Sequence, residues 1–187
     1  DSMSAVMAGG NDLFMNLGAV SAGTPVATAV TAMGTAGAEL AGYIKSLVLD
    51  KGAKYVLVVT LPDVSKTPFA YSQSTQTQGL IQTMSKTFND QLTAGLAGLS
   101  RVIVADGYGR GQDVAARPAA YGITNGTGTA CDLSKATLGS LGCSAATLVA
   151  GDVSHYQFAD SVHPTPYGHQ LYADLAMEAL AKAGWVD

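Results

Sequence analysis

Charge is scarce in this sequence. Only 13% of its 187 residues are Asp, Glu, Lys or Arg, while 48% are apolar, which supplies a real core and excludes long disordered stretches. There is no basic excess either. A net charge of -4 and a pI near 5.2 leave no electrostatic footprint for nucleic acid or an anionic membrane surface. No apolar run reaches the roughly 18 residues that a membrane-spanning helix needs. The opening stretch "DSMSAVMAGG" has no basic n-region and no cleavage pattern, so it does not read as a signal peptide. Histidine is scarce too: the three residues His155, His163 and His169 match no helical metal-binding spacing, and their carboxylate neighbours are scattered. Neither a metal nor an organic cofactor is expected.

Cysteine is nearly absent, but its two copies are close together. Cys131 and Cys143 bracket a stretch rich in Gly, Ser and Thr. One reading is a disulfide stapling a surface loop, which implies an oxidising compartment. The other is a pair of free thiols in one loop. A closed loop of this length stabilises by about 3 kcal/mol in the chain-entropy account.

What is present is an alternation of apolar segments. "SAVMAGG" predicts a buried strand ending in a tight turn. From Pro25, Val26, Val30, Met33, Gly37, Leu40, Ile44 and Leu47 recur at three- and four-residue steps and predict a helix. Residues Tyr55 to Thr60 form a strand without polar alternation, as expected when both faces are covered. Ile81, Met84, Phe88, Leu92 and Leu96 make the stripe of a second helix, and "RVIVAD" is a third strand. The segment from about 110 to 153 then loosens into a Gly-rich loop, and Pro166 to Ala183 reads as a last helix with Leu171, Leu175 and Ala179 inward. Strand and helix alternate as in a single parallel α/β domain with right-handed crossovers.

Chemistry in such sheets gathers beyond the strand ends. In "AGGNDLF", Gly9 and Gly10 let the backbone turn sharply, and Asn11 and Asp12 follow at once. An asparagine amide there suits an oxyanion hole; a plain Asn-Asp turn closing the strand is the alternative. In "DSVHP", Asp160 and His163 fall within one turn ahead of a helix. A carboxylate at that spacing accepts from the imidazole Nδ1–H and leaves Nε2 as a general base. Pro164 and Pro166 rigidify the helix entry. Asp12 also suits a hydrogen-bonding role within the turn. Asp63, Phe69, Tyr71 and His155 are further candidates for lining a substrate site, against the alternative of ordinary loop residues.

"GGND" followed far downstream by "DSVHP" resembles the third and fifth blocks of the GDSL, or SGNH, lipases and esterases. "LPDVSKTP", "TFNDQL" and "DSVHPTPYGHQLYAD" look closest to the secreted and autotransporter-type bacterial members of that family. The resemblance covers essentially the whole chain. It implies a three-layer α/β/α fold with a parallel, flavodoxin-like sheet, Asp160 and His163 as triad members, and Asn11 with Gly10 in the oxyanion hole. It further implies an ester substrate (a lipid or a small acyl ester) and a secreted, periplasmic or cell-surface location.

The family's first block carries the nucleophilic serine and should precede "GGND". Only eight residues stand before Gly9. Ser2 lies about 20 Å of extended chain from the catalytic end of its strand, and Ser4 shares the difficulty. In a sheet of order 2-1-3-4-5 the strand carrying the nucleophile would sit beside "SAVMAGG", which is otherwise left as a raw edge. Residues 1–187 are therefore expected to be the C-terminal portion of an SGNH hydrolase domain lacking its first strands, with the serine on a complementary N-terminal segment. The expected activity is ester hydrolysis by a Ser-His-Asp triad. A non-catalytic binding module that kept the fold, and an acyltransferase using the same residues, are the alternatives.

Overall fold

The computed structural model describes residues 3–186, so Ser2 lies outside the described residues. Strand β1 (Met3–Val6) leads into helix α1 (Gly10–Ser21) and then α2 (Val26–Tyr43), which runs on as a π-helical stretch over Ile44–Leu49. Strand β2 (Tyr55–Val59) is followed by a short helix α3 (Pro68–Tyr71) and the long α4 (Thr75–Leu96). Strand β3 (Val102–Ala105), helix α5 (Gly107–Ala116), strands β4 (Asn125–Thr129) and β5 (Tyr156–Phe158), and helix α6 (Pro166–Lys182) complete the chain.

Strands β1, β2 and β3 form a parallel sheet in that order, with Met3 opposite Tyr55 and Val56 opposite Val102. The central strand explains the layering. Successive side chains of a strand point to opposite faces. Val56 and Val58 enter a core with Leu13, Met33, Ile81 and Phe88 from α1, α2 and α4. Leu57 and Val59 enter a second core with Leu175 and Leu180 of α6. Helices thus cover both faces, giving an α/β/α arrangement, and Val56 to Val59 of β2 are apolar because neither face meets water there.

Helices α2 and α4 pack closely because Gly37 faces the Phe88 carbonyl. A Cβ at residue 37 would lie 2.1 Å from that oxygen. At the end of β1, Gly9 adopts a left-handed φ of 109° against the Phe88 ring, which a Cβ would approach to 2.7 Å. Only glycine satisfies both the dihedral and the space. This turn sets the angle at which α1 leaves the sheet.

Two readings need correction. Gly10, Asn11 and Asp12 do not form the plain turn that was the alternative for this stretch: they open α1, whose Leu13 and Leu17 are buried one turn apart. The Gly-rich stretch after residue 110 is not uniformly loose. It contains most of α5 as well as β4, which pairs in parallel with β5, Asn125 opposite Tyr156 and Thr129 opposite Phe158. Among the described residues β1 has no partner on its outer edge, and Met3 in the strand and Met7 just after it are exposed.

Candidate active site

The segment that joins β5 to α6 is a tight loop. Ala159 N–H donates to the His163 carbonyl at 2.8 Å, and Thr165 N–H to the Gln157 carbonyl at 3.0 Å. Thr165 caps α6 by accepting from Gly168 N–H at 3.0 Å, with Pro166 in the first helical turn. Helix and strand approach so closely that a Cβ on Gly168 would meet the Gln157 carbonyl oxygen at 2.3 Å. The loop between them is consequently held at both ends, and it carries Asp160 and His163.

Within it, His163 Nδ1 lies 2.8 Å from Asp160 Oδ2 and 3.0 Å from Oδ1. The carboxylate is buried and receives three backbone N–H bonds besides: from His163 at 2.7 Å and Val162 at 2.9 Å onto Oδ1, and from Ser140 at 2.7 Å onto Oδ2. Burial disfavours its ionised form, but these backbone donors and the imidazole outweigh that and hold the carboxyl well below the usual range. An ionised carboxylate at this distance from Nδ1 suits an Nδ1–H donor, the arrangement that would leave Nε2 facing outward as an acceptor. In contrast to its partner, the imidazole is open, its side chain 63% exposed.

His163 borders a cleft of about 480 Å³ at the C-terminal end of the sheet. Its walls bring together the three stretches singled out in the sequence: Gly9 to Asp12, Leu61 to Val64, and Val162 to Pro164. Asn11 stands exposed in the first turn of α1, so its amide is not committed to capping the helix. Gln157 and Tyr172 close the cleft on the α6 side, and the Gln157 Oε1 is buried without a hydrogen-bond partner.

A sequence model of the GDSL-like lipase/acylhydrolase family matches residues 2–176. The chain belongs to this family. Membership carries with it ester hydrolysis of the lipase/esterase type and ester substrates as a class. No curated protein matches the chain.

The remaining sequence candidates of this GDSL chain divide between the cleft and its surroundings. Asp12 and Asp63 both line it. Asp63, however, is buried and occupied: it caps the 3₁₀ turn at Val64–Lys66 by accepting from Ser65 N–H at 3.0 Å, and it accepts from Gln82 at 3.2 Å and Gln112 at 3.0 Å. Phe69 stands behind the wall, edge-on to Phe14 with ring centroids 5.2 Å apart, and its N–H donates to the Ser161 carbonyl at 2.9 Å. It braces the loop that carries the dyad. Tyr71 is outside the lining residues and partly exposed. His155 is outside as well, tilted against the Tyr167 ring with centroids 4.4 Å apart. His169 does reach the cleft, but among the described residues no group of three or more His, Cys, Asp or Glu is placed to hold a metal ion.

Cys131 and Cys143 are disulfide-bonded, with Cα atoms 5.8 Å apart. A disulfide persists in oxidising surroundings, which fits an extracellular setting. No helix among the described residues is long and apolar enough to cross a membrane.

Two contributors escaped the sequence reading. Asn89 on α4 clamps the start of the loop after β2: its Oδ1 accepts from Leu61 N–H at 2.8 Å and its Nδ2 donates to the Leu61 carbonyl at 2.7 Å. "TFNDQL" contained it as part of the family resemblance but with no role attached. Ser140, whose N–H reaches Asp160, had no signal beyond lying between the cysteines.

Proposed function

We propose that this chain supplies the histidine, the aspartate and an oxyanion donor of a serine ester hydrolase, and that the serine comes from a complementary N-terminal segment. One observation carries the reading: an imidazole oriented by a buried carboxylate opens onto a cleft that also holds Asn11, yet among the described residues none that lines the cleft is a serine. The threonine among the described lining residues, Thr67, is buried and donates to the Val64 carbonyl at 2.8 Å, so it is no free nucleophile.

In the proposed reaction the external serine Oγ attacks the ester carbonyl while His163 Nε2 takes its proton. Asp160 orients the ring and stabilises the imidazolium that forms. The negative charge that develops on the carbonyl oxygen meets the Asn11 amide and the Gly10 N–H, donors aimed in advance of the reaction. His163 then returns the proton to the departing alcohol, and the same imidazole activates water to release the acid. No metal or organic cofactor takes part. The edge of β1 that is unpaired among the described residues, the exposed Met3 and Met7, and the open face of His163 are the surfaces such a segment would cover. The disulfide supports a secreted, periplasmic or cell-surface protein.

The test is to label the full-length protein with a serine-directed phosphonate and locate the adduct by peptide mass spectrometry. The adduct is expected on a serine outside residues 1–187, and His163→Ala should suppress it. An adduct on Ser2, Ser4 or Ser161 would place the nucleophile within this chain instead.

A further inference from the structure

We infer that the disulfide loop is a positioning device for the catalytic dyad, in which the backbone N–H of Ser140 holds Asp160 in the rotamer that orients His163. The inference rests on the reading of Asp160 and His163 given above.

Covalent and hydrogen bonds form a closed circuit around the carboxylate. Cys131 is buried, and its N–H donates at 2.9 Å to the carbonyl of Ala159, the residue before Asp160. From there the chain leaves the β4–β5 pair, turns over the buried Ala136, and returns with Gly139 and Ser140 against Asp160. Three residues later Cys143 is bonded back to Cys131. The returning strand of the loop is therefore anchored, through one disulfide and one backbone hydrogen bond, to the residue adjacent to the group it contacts.

The contact is specific in its chemistry. Ser140 N–H reaches Oδ2 at 2.7 Å, the same oxygen that faces His163 Nδ1 at 2.8 Å. Val162 and His163 N–H groups hold Oδ1. With donors fixing both oxygens the carboxylate plane is set, and the imidazole has one direction in which to align. Gly139 makes the approach feasible. Its φ of 60° is left-handed, and a Cβ there would stand 2.9 Å from Oδ2. The titratable side chain bonded to Asp160 is His163; its other partners are backbone N–H groups, so the loop supplies a donor with no charge of its own to titrate.

Ser140 is thus a positioning residue through its backbone, and the serine hydroxyl is dispensable. The decisive measurement is the titration of the Asp160 carboxyl, followed by carbon NMR in the full-length protein, alongside kcat and KM for a p-nitrophenyl ester. Ser140→Pro removes the N–H, and reduction of the disulfide with a dithiol frees the loop without changing the sequence. Both should raise the Asp160 midpoint by about one pH unit and lower kcat about tenfold with KM little changed. Ser140→Ala should do neither. Asp113, bonded to Arg117 and Tyr121 away from the loop and lowered to about 2, should titrate alike in every form. An Asp160 midpoint unchanged by disulfide reduction overturns the inference, even where Ser140→Pro fails to fold. The catalytic reading fails separately, by His163→Ala retaining hydrolysis; a loop-independent Asp160 in an enzyme that His163→Ala inactivates would remove the positioning role alone.

Discussion

Asp160 is buried while His163, bonded to it at 2.8 Å, is largely open. The pairing separates two tasks. The carboxylate stays ionised inside a ring of backbone donors, and the imidazole is left free to meet a reacting group. In the proposed mechanism, burial of the orienting partner alone leaves His163 accessible to act as general base.

Asn11 should matter to turnover far more than to binding. In the complete enzyme Asn11→Ala is expected to lower kcat by about 10²–10³ with a smaller change in KM, as for other side-chain oxyanion donors. Steady-state kinetics with a p-nitrophenyl ester measure this. A kcat near that of the parent would return Asn11 to being a residue of the α1 entry.

The close approach of α2 to α4 makes a paired prediction about stability. Gly37→Ala drives a methyl group onto the Phe88 carbonyl and should destabilise by about 1–3 kcal/mol. Gly42→Ala, on the same helix with nothing within 4 Å of the new carbon, should stabilise by about 0.4–1 kcal/mol through the unfolded chain. Denaturant midpoints of the two variants should move in opposite directions.

Acid should weaken the fold through Asp160. Its carboxyl is depressed in the folded state, so the unfolded chain binds the proton first as pH falls. The stabilisation is fully present above about pH 4, where an unfolded aspartate is already ionised, and is lost as pH drops toward the folded value. Asp160→Asn should flatten that loss in a stability-versus-pH series. An identical slope in parent and variant would mean that the carboxylate contributes nothing to it.

How much of this could be read from the sequence follows from how local each feature is. Asp160 and His163 are three residues apart, so their contact is a property of one turn. Asn11 follows the end of an apolar strand, and the strands converge on one end of the sheet, so cleft membership was legible too. The α2 and α4 stripes stood out because Met33, Ile81, Met84 and Phe88 keep helical spacing and are fully buried. Helix α1 was hidden by its own opening glycines and asparagine, which favour a turn in isolation. β4, "NGTGT", has almost none of the apolar content by which strands are recognised, and it forms because β5 lies beside it. The Ser140 contact spans 20 residues of Gly-rich chain with no periodicity to betray it. Tyr71 and His155 lie near the site in sequence but outside the residues that line the cleft: Tyr71 is partly exposed, and His155 packs at a tilt against Tyr167.

The supply of the serine from outside this chain is tested most directly by the turnover of purified residues 1–187, measured alone and after addition of the N-terminal segment. Loss of a triad nucleophile costs on the order of 10⁶ in kcat in a well-studied protease. The chain alone should therefore hydrolyse a p-nitrophenyl ester no faster than background, the added segment should restore hydrolysis, and His163→Ala should abolish it again. Turnover by residues 1–187 at an ordinary enzymatic rate, blocked by a serine-directed phosphonate, would contradict this.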